Sequence, residues 1–221
     1  KENFAGRDGG GGYANDESDV NIRESIFTGN SAIEDGGGLY NEESANTTAI
    51  DTTFSGNTAR TGGGVYNEGD FLATKSTFAT NRAVTGGGSF NASGGDFLLT
   101  DSRLQGNTAT INGGGVANLG VLTVTRSIIS GNTAGNDGGG IHNLDRATID
   151  RTELDLNSAR QGGAIYTDDG EVILLLTTVS NNVAINGGGI FNTGDIANVT
   201  IDLVTFRGNS ADQDSTGFGG S

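Results

Sequence analysis

The phrase Gly62-Gly63-Gly64-Val65-Tyr66-Asn67 constrains this chain more than any other feature, because the sequence keeps rewriting it. It returns as GGGLYN from Gly36, GGGSFN from Gly86, GGGVAN from Gly113, GGGIHN from Gly138, GGAIYT from Gly162 and GGGIFN from Gly187, with a looser GGGYAN from Gly10. Successive starts from Gly36 onward are separated by 26, 24, 27, 25, 24 and 25 residues. Self-similarity at a period of this size is the mark of a solenoid in which each repeat forms one coil.

A second phrase precedes each glycine run: an apolar residue, two free positions, Asn, one free position, Ala. It ends at Ala32, Ala59, Ala83, Ala109, Ala134, Ala159, Ala184 and Ala211. Ten and eight residues before each Asn stand pairs such as Val20/Ile22, Phe71/Ala73, Leu122/Val124 and Val172/Leu174, a period of two that predicts a strand with these side chains inward. Five and three residues before it stand Ser25/Phe27, Thr52/Phe54, Ser76/Phe78 and their counterparts. Two successive outward positions separate the pairs and predict a bend. The glycine phrase supplies the third strand, with Leu39, Val65, Val116, Ile141, Ile165 and Ile190 inward. Three short strands per coil with bends between them describe an all-β parallel β-helix, or β-solenoid, of about eight coils of 24–27 residues. The Asn residues at 30, 57, 81, 107, 132, 157, 182 and 209 then fall at one bend. There a side-chain amide can bond both the bend and the amide in the adjacent coil, so Asn30, Asn57, Asn81, Asn107, Asn132, Asn157, Asn182 and Asn209 are expected to form a structural ladder.

Composition alone points elsewhere: 40 Gly, no Pro and 33% hydrophobic residues in 221 would pass for disorder. A solenoid escapes that conclusion because each coil buries its inward side chains against two neighbours, so few apolar residues per coil suffice. Twelve Lys and Arg against 27 Asp and Glu give a net charge of −15, which argues against nucleic acid or an anionic membrane as partner. The absence of Cys removes disulfides and thiolate metal sites, and no run of 18 apolar residues suggests insertion into a membrane. An acidic, cysteine-free, Gly/Asn/Thr-rich chain suits extracellular, cell-surface material. The whole of 1–221 reads as a single β-helix segment. Partial copies of the phrases at Asn3/Ala5 and Phe218-Gly219-Gly220 lead us to expect part of a longer repeat array.

The two signatures, Phe-x-x-Asn and Gly-Gly-Ala-Ile, resemble the repeat of the chlamydial polymorphic outer membrane proteins and related bacterial surface proteins. Phe27–Asn30, Phe54–Asn57, Phe78–Asn81 and Phe206–Asn209 match the first literally, and Gly162-Gly163-Ala164-Ile165 matches the second. The resemblance covers nearly the whole chain. It implies a right-handed parallel β-helix in a secreted or surface-exposed region that serves adhesion or acts as a stalk.

Parallel β-helices also host polysaccharide lyases and hydrolases, so a carbohydrate-active enzyme is the alternative to a non-enzymatic structural or adhesive solenoid or filament. Acid/base glycoside chemistry needs carboxylates converging on a groove. The best local candidate is Asp168-Asp169-Gly170, in the coil where Thr167 replaces the Asn of the glycine phrase. Basic residues around it are sparse and the chain's one His is His142, so an acidic turn is the preferred reading and no catalytic residue is assigned. Asp8, Asp35 and Asp137 precede glycine runs, but Thr61, Thr85, Asn112, Gln161 and Asn186 occupy the equivalent places, so no continuous carboxylate column exists. Asp212 and Asp214, beside Ser215, form the one oxygen-rich cluster noted for calcium; no other cofactor is expected.

Two surface features remain. One residue beyond the inward Leu/Val/Ile of the glycine phrase stand Tyr40, Tyr66, Phe90, Ala117, His142, Tyr166 and Phe191. Alternation sends them outward, where they either stack and stiffen the sheet or offer a platform for surface glycans or a second fibre. Ile173, Leu175, Leu176 and Leu203 put apolar side chains where other coils carry Thr, Asp, Arg or Lys, which marks the expected interface with another copy of the chain or a neighbouring domain.

Overall fold

The computed structural model describes residues 3–211 and contains strands, turns and bends throughout, with no helix among them. The strands assemble into three eight-stranded parallel sheets. Five-residue strands, from Asp19–Arg23 to Asn198–Asp202, build the widest sheet. Three-residue strands, from Ile26–Thr28 to Thr205–Arg207, build a second, which carries the phenylalanines of the Phe-x-x-Asn signature. The glycine phrases build the third, from Gly12–Ala14 to Ile190–Thr193. Short pairings at the Asn bend, such as Arg82–Thr85 on Thr108–Asn112, close each coil. The parallel β-solenoid of about eight coils read from the repeat is therefore the fold.

Register follows the repeat without slippage along the three sheets. Phe71 lies between Thr47 and Phe97, Phe78 between Phe54 and Leu104, and Val65 between Leu39 and Ser89. The strict in/out alternation explains why: a slip by one residue would turn each coil's apolar set to solvent. The interior is a set of columns running along the rod. Phe27, Phe54 and Phe78 stack with centroids 4.9 and 5.0 Å apart, and Phe71 stacks on Phe97 at 5.1 Å. Phe54 also meets Phe71 edge-on at 6.2 Å, which ties the two sheets together across the core.

The bends are held by three polar ladders. At the first, the backbone N–H of each Asn and its Nδ2 both donate to the Oδ1 of the Asn one coil on, as Asn107 does to Asn132 at 2.9 and 3.0 Å. The chain of bonds runs unbroken from Asn3 through Asn30 to Asn209. The second ladder is the last letter of the glycine phrase: Asn41, Asn67, Asn91, Asn118 and Asn143 each donate Nδ2 onward, at 2.7–2.8 Å as far as Asn143, which reaches Thr167 at 3.3 Å. The third is made by hydroxyls, with the N–H of Thr52, Ser76 and Ser102 donating to the next Oγ at 3.0–3.1 Å. Backbone groups that a tight bend would strand inside a dry core are thereby paired.

The two bends that flank the phenylalanine sheet each carry one residue with positive φ in nearly every coil. Before the phenylalanine sheet that residue is Glu24, Asp51, Lys75, Asp101, Arg126, Arg151, Leu176 or Leu203, with φ of 46–52°. After it, glycine fills most coils, but Thr80, Leu156 and Asn181 adopt the same conformation. The middle glycine of each phrase is required for a different reason. A Cβ on Gly63 would lie 2.5 Å from the carbonyl oxygens of both Arg82 and Gly87, so the coil spacing itself excludes a side chain.

Candidate functional surface: the aromatic column

The first glycine of each phrase turns the chain back across the outer side of its own strand: a Cβ on Gly62 would stand 2.9 Å from Tyr66 Cα. This places the aromatic residues on the outside of the rod, beneath the turn that precedes them. Tyr13, Tyr40, Tyr66 and Phe90 stack with centroids 4.9, 5.0 and 5.1 Å apart and rings within 12° of parallel. His142, Tyr166 and Phe191 form a second run at 5.2 and 5.9 Å. Ala117 divides the two.

Outward direction does not here mean free access. Tyr40, Tyr66, Phe90 and Phe191 are half-buried, whereas Tyr166 is 9% exposed and His142 only 5%. The expectation of a solvent-facing stripe is corrected at these last two positions, which point outward from the strand yet are buried, while stacking and the folded-back turn leave the rest of the column half-covered. Ring faces are consumed by stacking, so the column presents edges.

Hydroxyls and carboxylates line one margin. Tyr13 donates to Glu42 at 2.9 Å, Tyr40 to Glu68 at 2.6 Å and Tyr66 to Glu68 at 3.3 Å. Burial, with the nearby glutamates, pushes the Tyr13 phenol up to about 12 and raises Tyr40 and Tyr66 well above the usual range. On the other margin the carboxyls of Asp35 and Asp137 are raised mainly by burial. Carboxylate oxygens of Asp8, Glu34 and Asp35 lie within 4.8 Å of one another, and Arg7 approaches Asp8 and Glu34 at 3.4 Å each. Three carboxylates fall short of the ~6–8 oxygens that calcium takes. Asp212 and Asp214, noted for calcium, lie outside the described residues.

The eight Asn residues predicted to form a ladder occupy one, from Asn30 to Asn209, and all but Asn209 are buried. The Asn that closes each glycine phrase forms a second ladder, and its sequence signal is its recurrence at that place from Asn41 to Asn143. Asp168 and Asp169 do not converge on a groove. Asp169 Oδ1 accepts the N–H of Ile196 at 3.1 Å, and a Cβ on Gly194 would meet that oxygen at 2.3 Å, so the pair braces a turn.

Ile173 and Leu175 lie outward and half-buried on the five-residue sheet, with Leu176 (46% exposed) and Leu203 (74% exposed) beside them in the positive-φ column. These residues form one apolar surface spanning two coils. A shallow groove of about 470 Å³ lies on the same sheet nearer the N-terminus, floored by Leu72, Leu98 and Val121 and flanked by Asp70 and Asp96. Its signal was an apolar residue at outward positions that carry Thr in other coils.

Among known proteins, the sequence profile of the Chlamydia polymorphic membrane protein repeat matches residues 24–42, 51–68 and 126–144. Each match begins at a positive-φ bend, crosses the phenylalanine strand and the Asn ladder, and ends just past the glycine phrase, so the matched unit is most of a structural coil. The chain thus carries repeats that resemble those of the chlamydial proteins. No curated protein matches. Among solved structures, HetL, a pentapeptide repeat protein involved in heterocyst differentiation regulation from the cyanobacterium Nostoc sp. strain PCC 7120, aligns over 88% of this chain and 87% of its own at 12% identity. Its TM-score is 0.22, too low for an argument about this chain.

Proposed function

We propose, on the premise that three coils match the Chlamydia polymorphic membrane protein repeat, that this chain is a non-enzymatic rod in a bacterial cell-surface protein. That match is the observation that carries the reading. The interior is compatible with it, since the inward Asn and Ser/Thr columns at the bends are engaged in ladders from coil to coil. Function then belongs to the outer faces. The aromatic column and the groove at Leu72 and Leu98 are the adhesive candidates, with surface glycans as the ligand class; the Ile173 and Leu203 patch is the candidate contact with a neighbouring domain or another copy.

Protease shaving of intact cells that make the protein, followed by immunoblotting for this segment, tests the location. The segment is expected to disappear from unbroken cells; persistence until lysis would overturn the surface assignment. Incubation of the folded segment with neutral and acidic polysaccharides tests the rest, with retention but no product expected. Turnover that Asp168→Asn and Asp169→Asn abolish would instead establish a carbohydrate-active enzyme.

A further inference from the structure

The single histidine of the chain occupies a position that the rest of the molecule leaves unexplained. His142 stands in a column that other coils fill with Tyr, Phe or Ala, and its ring lies 5.2 Å from that of Tyr166 at an interplanar angle of 4°. It is 5% exposed, and its Nδ1 is buried with no hydrogen-bond partner. On the preceding coil its register partner is Ala117, which is fully buried and offers no polar side chain. Asp137 lies in the turn before the histidine's own strand and Tyr166 and Asp168 lie on the following coil, with Arg160 acting on Asp137, but the imidazole itself is shifted by burial. None of these hydrogen-bonds the imidazole.

We propose that His142 is an acid-sensitive joint in the rod: its protonation expels the ring from the aromatic column and loosens the outer face where coils carrying Ala117, His142 and Tyr166 meet. A neutral imidazole can sit stacked and dry, whereas an imidazolium needs acceptors or water at both nitrogens. Nδ1 is buried and unpartnered, and the neighbours along the column are the Tyr166 ring and Ala117. Asp137 makes neither a hydrogen bond nor an ion pair with the imidazole, so it provides no acceptor in place for the cation.

The direction follows from linkage. Burial lowers the imidazole from its ordinary 6.5 to about 4, so the opened state binds a proton more readily than the stacked state. The closed arrangement is at full strength above about pH 6.5 and weakens as pH falls toward about 4. The difference in proton affinity allows the closed-to-open ratio to drop on the order of 100-fold between pH 7 and pH 4. Raised carboxyls such as Asp35 and Asp137 act in the opposite sense, because their stability contribution falls as pH rises, so His142 must be isolated by comparison.

Because the protein has one histidine, its ring proton or ¹³C resonance titrates without ambiguity. We expect a midpoint far below 6.5, accompanied by loss of the upfield ring-current shift from Tyr166. The paired experiment measures urea midpoints of the wild type and His142→Phe between pH 7 and pH 4. Phe stands in the same column at Phe90 and Phe191, so the variant fits the fold. The gap between the two proteins should widen on acidification, with His142→Phe the more stable at pH 4. A histidine midpoint at 6–7, or a gap that does not change with pH, would overturn the proposal. If His142→Phe failed to fold, the histidine titration alone would still decide it.

Discussion

Replacing Asn132 with alanine tests whether the Asn ladder holds the coils together or merely decorates them. Its Nδ2 donates to Leu104 O and to Asn157 Oδ1, both at 3.0 Å, and its Oδ1 accepts from the backbone N and the Nδ2 of Asn107 at 2.9 and 3.0 Å. After truncation Asn107 Nδ2 still reaches Phe78 O and Asn157 Oδ1 still receives the Asn132 N–H, but the buried N–H of Asn107 has lost its acceptor. One orphaned buried donor costs about 1–3 kcal/mol, and the other three bonds contribute about 0.5–1.5 kcal/mol each, for a total of about 2.5–7.5 kcal/mol. That is comparable with the whole stability of many domains, so the rod should open at this coil before the rest unfolds. Urea denaturation followed by far-UV circular dichroism would show a large loss of midpoint or a new early transition. Hydrogen exchange would place the opening at residues 104–107 and 129–132. Asn46→Ala is the control, because Asn46 is exposed and its side chain bonds only Asp19, at 3.2 Å. A loss under about 1 kcal/mol for Asn132→Ala would refute the ladder argument, since water or local collapse would then be meeting the backbone's needs.

Ser89 occupies the inward column between Val65 and Val116 with its hydroxyl buried and unpaired, so Ser89→Val should raise stability by about 1–2 kcal/mol in the same urea assay; a loss would mean the column has no room for two methyls. Gly63→Ala should prevent folding or cost more than about 3 kcal/mol through contact with the Arg82 and Gly87 carbonyls, whereas Gly56→Ala, whose Cβ meets nothing closer than 4.0 Å, should cost only the ~1 kcal/mol of its positive φ. All four tyrosines have raised phenols, burial being the first cause, so the protonated form belongs to the folded state and stability falls as pH rises above about 10. Absorbance at 295 nm should therefore rise late and together with alkaline unfolding; a normal titration centred at 10 in the folded protein would contradict the stacked, glutamate-bonded arrangement.

The fold was legible because a solenoid converts sequence period directly into space. Residues about 25 apart become neighbours, so the inward role of Val65 could be read from Leu39 and Val116 without any knowledge of the rest. The Asn ladder was legible for the same reason, since an amide repeated at a bend can bond both the bend and its own copy. Access was not legible. Alternation gave the outward direction of His142 and Tyr166 but not their burial: the preceding Gly138 and Gly162 take the same φ of 64–67° as Gly36 and Gly62, whose aromatic residues are half-buried, so neither pattern nor backbone turn separates the two cases. The groove at Leu72 and Leu98 likewise needs the height of the neighbouring turns, which period alone does not supply.

Apart from Ser89, the departures from the repeat at Thr167, Leu176 and Leu203 concern the outside of the rod or its second ladder, and this follows from how the inside is built. An inward residue must satisfy two neighbouring coils at once, so a change there is felt by both; Ser89 is tolerated only as a small side chain in an apolar column. An outward residue answers mainly to solvent. Leu176 and Leu203 can thus replace Arg or Asp at a bend whose φ of 49–52° is set by the backbone path and not by the side chain. Thr167 marks the boundary case: it receives the bond from Asn143, at 3.3 Å rather than 2.7–2.8 Å, in the same coil where Tyr166 covers His142. Weakened ladder, buried histidine and the apolar bend at Leu176 fall within consecutive coils, so that stretch is where the outer surface is expected to yield first to acid or to a partner, while the phenylalanine stack between Phe27 and Phe78 stays closed.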